Sequence, residues 1–416
     1  MKLKKVRLKN FRGYLDTTFS VDKLNVIIGK NDVGKSTVID ALDVYFNDAS
    51  IEPSDLNVYA DPSETGSIEI SCSFEVDPDE RITLDSSENT ATTLKAEYLL
   101  NKENLLEISK KYECSNGRIK KPVVQIVARH PKNFEKALIC LKIQDLLKLA
   151  NNKNISVPNR NVKKEIRRAI FEQYPNIEWV DDFLISIDSK DGDIIPVFSK
   201  FKDDFPAFLI FRADRTNTDK DKEVNDTTKA IAKAAVAELE SKFSEIKKIV
   251  IEQIQALADK TLLKLNEFDE HIAKELKTNI ETKTLDSLFS FTFNCEDGIS
   301  FNKRGSGIKR LMLLSFFLAE AERKNISKNI IYAIEEPETS QHPDFQIMLM
   351  NALKDLSDSG NRQILLTTHT PEIVKMINKE DLIFIQKDHE NHMISVETND
   401  DIEISKVADT LGILPF

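Results

Sequence analysis

A short stretch near the N-terminus has the residue types and the spacing of a phosphate-binding loop. Residues 29–37 are Gly-Lys-Asn-Asp-Val-Gly-Lys-Ser-Thr, which fits the pattern G-x-x-x-x-G-K-[ST]. In that pattern, backbone N–H groups surround the phosphates, Lys35 reaches the β- and γ-phosphates, and Ser36 joins the Mg²⁺ shell. The residues predicted to bind a nucleoside triphosphate are Gly29, Asn31, Asp32, Gly34, Lys35, Ser36 and Thr37.

The segments on either side of this loop have the patterns of the strand and the helix that flank a phosphate-binding loop. The apolar stretch 24–28 is typical of a buried strand, and residues 38–42 have the spacing of a helix. A strand, a glycine-containing loop and a helix start together form an anion-binding cradle. The alternative is a surface loop that matches the pattern by chance, and such a loop would lack this context.

An apolar strand that ends in two carboxylates lies in the C-terminal third. Residues 330–334 are apolar, and Glu335 and Glu336 follow directly. Beside a phosphate loop, Glu335 is predicted to hold the Mg²⁺ shell and Glu336 to act as general base towards the attacking water. A strand ending in two glutamates also arises by chance, so this prediction depends on the motifs around it.

Two weaker motifs flank the carboxylates along the chain. Upstream, Gly305, Ser306 and Gly307 precede an apolar helix and are predicted to form a second anion-binding nest. Downstream, His369 ends the apolar strand 364–368. A single histidine at a strand end is usually structural, but its position after the paired carboxylates favours a role in the same site.

The composition bounds the class of protein. The chain has 416 residues, a formal net charge of −11, 41% hydrophobic residues and 31% charged residues, so two or three domains with their own cores are expected. No apolar run approaches the ~20 residues of a membrane span, and the basic start lacks the apolar region of a signal peptide. The four scattered cysteines favour reduced thiols. We expect a cytoplasmic protein with no membrane partner.

The chain is predicted to divide into three parts. Two edge strands lead to the phosphate loop, and residues 66–76 alternate like a further antiparallel strand. Over 228–282, apolar residues recur at spacings of three to five, which predicts long helices that either pack on their own domain or dimerise. The apolar run 205–211 is assigned to the same domain as the phosphate loop. The predicted parts are an N-terminal lobe (1–130), an insertion (131–284) and a C-terminal lobe (285–416).

The order of these motifs resembles the head domains of ABC-type ATPases, in the branch that holds RecF, SMC proteins and the OLD family. The opening 8–14, Leu-Lys-Asn-Phe-Arg-Gly-Tyr, is similar to the N-terminal signature of that branch. Glu-Glu-Pro-Glu at 335–338 and Thr-His-Thr-Pro-Glu at 368–372 match it as well. The resemblance covers 1–48 and about 285–416. It implies an α/β fold, a P-loop mixed sheet with helices, that carries a large and mainly helical insertion.

The resemblance also implies a mechanism that depends on ATP and Mg²⁺. Two heads of a homodimer or higher homo-oligomer would enclose two ATP molecules. Gly305, Ser306 and Gly307 of one subunit would meet the γ-phosphate held by Lys35 of the other, and His369 would sense that phosphate. The Arg-Gly-Ser-Gly signature and the first Walker B glutamate fit the OLD branch, and no Q-loop glutamine is assigned.

What the ATPase controls is left open by the sequence. In the OLD family, a segment like 407–415 leads into a Toprim nuclease domain, so this chain is either an ATPase half or a partner of a separate effector such as a nuclease. No nuclease activity is expected from it alone. The leading hypothesis is a sensor and scaffold in anti-phage defence, as in split bacterial defence systems. A RecF-like DNA-repair clamp and a non-hydrolysing ATP-bound assembly module are the alternatives.

Direct DNA contact is a separate hypothesis. The two basic clusters are Lys2, Lys4, Lys5, Arg7 and Lys9 at the N-terminus, and Lys163, Lys164, Arg167 and Arg168 further along. Solvated charged faces are one interpretation of both. The other is that Lys163, Lys164 and Arg167 share a helix face that meets DNA phosphates.

Overall fold

The computed structural model describes residues 1–60, 66–83, 91–115, 117–174, 177–188, 192–212, 236, 239, 242–253, 255–256, 315, 319, 329–338, 342–388 and 394–412. Its strands are β1 (Lys2–Phe11), β2 (Tyr14–Ser20), β3 (Leu24–Ile28), β4 (Ser67–Glu75), β5 (Ile82–Thr83), β6 (Ala91–Thr92), β7 (Leu106–Ser115), β8 (Arg118–Ile119), β9 (Val123–Pro131), β10 (Trp179–Ser186), β11 (Ala207–Arg212), β12 (Ile330–Glu335), β13 (Arg362–Thr368), β14 (Leu382–Lys387) and β15 (Ile394–Thr398). Its helices are α1 (Lys35–Asn47), α2 (Ile143–Asn152), α3 (Lys163–Glu172), α4 (Ile194–Asp203), α5 (Pro343–Asp358), α6 (Pro371–Val374) and α7 (Ile404–Leu411).

One sheet is built around five parallel strands. Its order is β11-β12-β13-β3-β14-β15, with β15 antiparallel to β14. These strands are short apolar runs, and every residue of β3 and β13 is buried. Their side chains alternate between two hydrophobic cores, so the sheet is covered on both faces, as is usual for parallel strands. The predicted α/β fold is confirmed.

Helices α1 and α5 cover opposite faces of this sheet. Val38 and Leu42 of α1 pack into the core that also contains side chains of the second sheet. Leu349 and Leu353 of α5 pack into the other core. Helix α1 is therefore held between two sheets, and its first turn follows directly from the loop after β3.

The second sheet is antiparallel. Its order is β10-β9-β7-β4-β1-β2, and β8 pairs with β7. Strand β4 confirms the strand predicted over 66–76. Strand β1 lies between β4 and β2, so the prediction that it is an edge strand is wrong. Its basic side chains are compatible with an interior strand because acidic side chains pair with them, as Glu103 does with Lys5 and Asp16 with Arg7.

The predicted parts of the chain are connected through both sheets. Strand β10 lies within the predicted insertion 131–284 and pairs with β9, and β11 pairs with β12. Within 228–282, residues 242–253 are helical and expose Ile246 and Val250, and most of the rest lies outside the described residues. The domain boundaries stay a prediction. No described helix is long and apolar enough to cross a membrane.

Candidate functional site

The topology brings the predicted site residues to one edge of the six-stranded sheet. Strands β3, β12 and β13 are parallel, so their carboxyl ends lie at the same edge. Strand β13 lies between the other two, with Thr368 opposite Ile28 and Thr367 opposite Glu335. The phosphate loop, the paired carboxylates and the segment with His369 therefore start from three adjacent strands.

The phosphate loop fits closely against its surroundings. A Cβ atom on Gly29 would lie 2.5 Å from the carbonyl oxygen of Ile385 and 2.9 Å from Cγ1 of Val33. Gly34 precedes α1 with a φ of 110°, a left-handed conformation that favours glycine. The hydroxyl of Tyr14 donates a hydrogen bond of 2.9 Å to the Gly34 carbonyl. Both glycines of the motif are thus required by the backbone.

Lys35 is buried under the loop. Its ammonium donates hydrogen bonds to the carbonyls of Gly29 at 3.1 Å and Lys30 at 2.9 Å. Burial lowers the pKa of Lys35, whereas the nearby carboxylates of Glu336 and Asp32 act to raise it. Within the described part of the chain, the hydrogen bonds of this buried ammonium go to neutral carbonyls, which suits a phosphate because a phosphate would supply the opposite charge.

The start of α1 suits an anion and a hard cation together. No described side chain caps this helix end, and its first turn carries no acidic residue, so the N–H groups and the positive end of the helix dipole face the loop. Ser36 is exposed, and Asn31 and Asp32 are exposed in the loop before it. The hydroxyl of Ser36 with the carboxylate of Glu335 matches the few protein oxygens that Mg²⁺ takes beside nucleotide phosphates.

Glu335 belongs to a chain of ion pairs that the sequence analysis missed. Nε of Arg212 lies 3.1 Å from a Glu335 oxygen, and Nη2 of Arg212 lies 2.5 Å from Asp40 on α1. The other oxygen of Asp40 lies 2.5 Å from Nη1 of Arg12, whose Nε is 2.8 Å from Asp55. We call Asp40 with Arg12 and Arg212 the Asp40 junction. It links the Walker B strand to the helix that follows the phosphate loop.

Glu336 and His369 are brought together past the strand ends. Nδ1 of His369 lies 3.2 Å from Oε1 of Glu336. Glu336 has a φ of 39°, an uncommon conformation for a residue with a side chain, and its N–H donates to the Thr367 carbonyl at 3.0 Å. The backbone of β13 thereby fixes the turn that carries Glu336, and the Glu336 carboxylate lies beside the His369 ring.

Glu338 is a further buried carboxyl group beside this pair. Its side chain contacts the hydroxyls of Thr368 and Thr370, the residues on either side of His369. The only sequence signal for it was its place in the Glu-Glu-Pro-Glu segment. Gly305, Ser306 and Gly307, the predicted partner motif, lie outside the described residues.

The hypothesis that Lys163, Lys164 and Arg167 form a DNA-binding face is wrong for Arg167. Its side chain is 1% exposed, with Nη2 at 2.8 Å from Glu97 and Nη1 at 2.6 Å from Asp193. Lys163 also pairs with Asp193, at 3.1 Å. The amphipathic spacing of α3 puts Arg167 on its inner face, among Ile166 and Ile170, where it compensates two carboxylates.

Comparisons with known proteins find a curated relative and solved structures at low sequence identity. The chain is 24% identical to the endonuclease GajA of Bacillus cereus (strain VD045) over 424 residues, which covers 95% of this chain and 61% of GajA. It thus spans about three fifths of that relative. Two solved structures match at low similarity: the SMC head domain from Thermotoga maritima (12% identity, 96% of this chain, 100% of that chain, TM-score 0.40) and the SmcHead bound to the C-winged helix domain of ScpA (14%, 98%, 99%, 0.41).

A family match covers most of the sequence. The sequence model described as the AAA ATPase domain matches residues 1–374, which include the phosphate loop, both Walker B carboxylates and His369. The resemblance to an ATPase that the motifs predicted is thereby confirmed. This chain belongs to the AAA ATPase domain family.

Proposed function

We propose that this chain is a Mg²⁺-dependent ATPase that acts as the switching component of an anti-phage defence system. The observation that supports it most is the convergence of the phosphate loop, two carboxylates and a histidine at one sheet edge. The relation to a protein named as an endonuclease supports a nucleic-acid-directed effector, carried by a separate protein or by a further domain.

Each residue at the edge has a role in hydrolysis. Lys35 and the N–H groups of the loop would hold the phosphates, and Ser36 and Glu335 would hold Mg²⁺, which would offset phosphate charge. Glu336 accepts a proton from the attacking water. His369, 3.2 Å from Glu336, orients that carboxylate and meets the γ-phosphate side of the site.

The test uses two substitutions, one expected to abolish nucleotide binding and one expected to leave binding intact but stop hydrolysis. Lys35→Ala removes the buried cation and should abolish nucleotide binding, measured with a fluorescent ATP analogue. Glu336→Gln keeps the side-chain shape and should bind ATP normally while phosphate release falls by about 10²–10⁴-fold, the usual contribution of a general base. Glu403→Gln, at the exposed N-cap position before α7, is the matched control and should hydrolyse ATP like the unchanged protein. Normal turnover in Glu336→Gln would remove Glu336 from the catalytic role.

ATP-dependent assembly is the second part of the proposal. The ATP site at Lys35 of one copy would be completed by Gly305, Ser306 and Gly307 of another copy. Because Glu336→Gln should bind ATP without hydrolysing it, this variant should accumulate as an ATP-bound dimer or larger oligomer. Native mass spectrometry with ATP and Mg²⁺, on protein expressed with its genomic neighbours, measures both the copy number and any effector. A monomer in Glu336→Gln under saturating ATP would refute the assembly step.

A further inference from the structure

Glu338 has an arrangement that packing alone does not explain. Its side chain is buried, and a single oxygen, Oε1, accepts hydrogen bonds from the hydroxyls of Thr368 and Thr370, the second at 3.1 Å. The N–H of Thr370 in turn donates to the Thr368 hydroxyl at 3.0 Å. The residues on both sides of His369 are therefore hydrogen-bonded to the same carboxyl oxygen.

The second oxygen of Glu338 makes this placement costly. Oε2 is buried and has no hydrogen-bond partner among the described residues. Burial also raises the pKa of Glu338, against the opposing effect of the threonine hydroxyls. A buried polar atom without a partner destabilises a fold, so a residue with one calls for a reason beyond stability.

We propose that Glu338 is a positioning residue that holds His369 against the catalytic carboxylate, a role that rests on the ATPase function proposed above. Glu336 and Glu338 flank Pro337, whose ring restricts the backbone between them. Glu336 contacts the His369 ring, and Glu338 holds the backbone segment that carries that ring. One short turn after β12 thus sets both the base and the histidine.

The first test compares removal of the carboxyl group with its conservative replacement. Glu338→Ala deletes the shared acceptor and should lower kcat by about 100-fold, because small displacements of catalytic groups have effects of this size. Glu338→Gln keeps an acceptor for both hydroxyls, and its kcat should stay within about tenfold of that of the unchanged protein, since the difference in strength between a charged and a neutral hydrogen bond corresponds to about a tenfold change in a rate constant. ATP affinity should be the same in both variants.

The second test asks whether Glu338 acts through His369. In the background of His369→Gln, adding Glu338→Ala should lower kcat no further, because the histidine is already gone. Thr370→Val removes one hydroxyl donor, and its kcat should lie between those of the unchanged protein and Glu338→Ala. A purely structural role would instead give multiplicative losses of kcat, together with a lower Tm in Glu338→Gln and Glu338→Ala alike, and that outcome would overturn the proposal.

A readout without hydrolysis separates this proposal from the proposed function. In protein labelled at histidine Cε1, the His369 resonance is assigned by its absence in His369→Gln. Glu338→Ala and Thr370→Val should shift it, whereas Glu338→Gln should return it close to its original position. Shifts with this pattern support the positioning role even if no ATP is hydrolysed. An unmoved resonance in Glu338→Ala would overturn it even if the protein is an active ATPase.

Discussion

Two charge clusters in this molecule are built in opposite ways. In the α3 region, one guanidinium, Arg167, compensates two carboxylates, Glu97 and Asp193, and its side chain is 1% exposed. At the edge of the six-stranded sheet that carries the phosphate loop, one carboxylate, Asp40, is shared by two guanidiniums. These are Arg12 and Arg212, which are 40% and 22% exposed.

The difference between the clusters lies in what each is free to do. The Arg167 cluster is a set of internal ion pairs: the guanidinium bonds Glu97 and Asp193, and its position between α3 and the segment 91–100 connects these parts of the fold. The Asp40 junction is half open and ends at Glu335, one residue before the proposed base. Burial and pairing, rather than the number of basic residues, therefore distinguish the two clusters.

The largest effect on stability is expected at Arg167. Arg167→Met leaves Glu97 buried without its bidentate partner, and breaking a buried ion pair in this way costs about 3–5 kcal/mol. Urea denaturation followed by circular dichroism measures this loss. Arg168→Met is the matched control on the same helix: its exposed pair with Glu172 contributes at most about 0.5 kcal/mol. Equal losses in the two variants would contradict the contrast between buried and exposed charge.

A second prediction concerns His130, in the same region as Arg167. Its ring is fully buried and stacked on Phe183 with centroids 4.4 Å apart, and burial lowers its pKa from 6.5 to about 4. The unfolded chain then binds a proton more readily than the folded one. Stability from neutral His130 is complete above pH 6.5 and is lost as the pH falls towards 4, with a total of about 3 kcal/mol.

The substitution His130→Phe isolates this contribution. Phenylalanine keeps the stacked ring and cannot titrate, so the dependence of the unfolding free energy on pH between 4 and 6.5 should flatten relative to the unchanged protein. Urea midpoints across that range measure it. If the two proteins kept parallel curves, the loss at low pH would belong to other groups.

The strands that end at the phosphate-loop edge of the sheet were predictable because each is marked by neighbouring residues in the sequence. The apolar runs of β3, β12 and β13 are buried throughout, so each was recognisable as a strand without knowledge of its neighbours. The loop pattern and the two terminal glutamates are contiguous as well. Parallel pairing then required their carboxyl ends to meet.

The long-range charge pairs were not predictable in the same way. Arg212 and Asp40 are 172 residues apart, and Arg167 and Glu97 are 70 apart, so their pairing exists only once the fold does. The prediction that β1 is an edge strand was wrong for a related reason. Alternating lysines are typical of an edge strand, and the acidic partners that they have here come from other segments. Glu338 carried no sign of burial, because its partners belong to β13 and the residues after it.

The smallest expected effect tests whether Asp40 is a true junction. Arg12→Met and Arg212→Met should each lower stability slightly, since Asp40 keeps one guanidinium, but the double variant leaves Asp40 with neither. The double-mutant cycle should therefore show a coupling of about 1 kcal/mol beyond the sum of the single losses. Lys110→Met, which removes the partner of Asp48 at the far end of α1, about 12 Å away along the helix, should be additive with Arg12→Met. If the losses from Arg12→Met and Arg212→Met simply added, the two guanidiniums would act separately on Asp40. The Asp40 junction would then not couple Glu335 to α1.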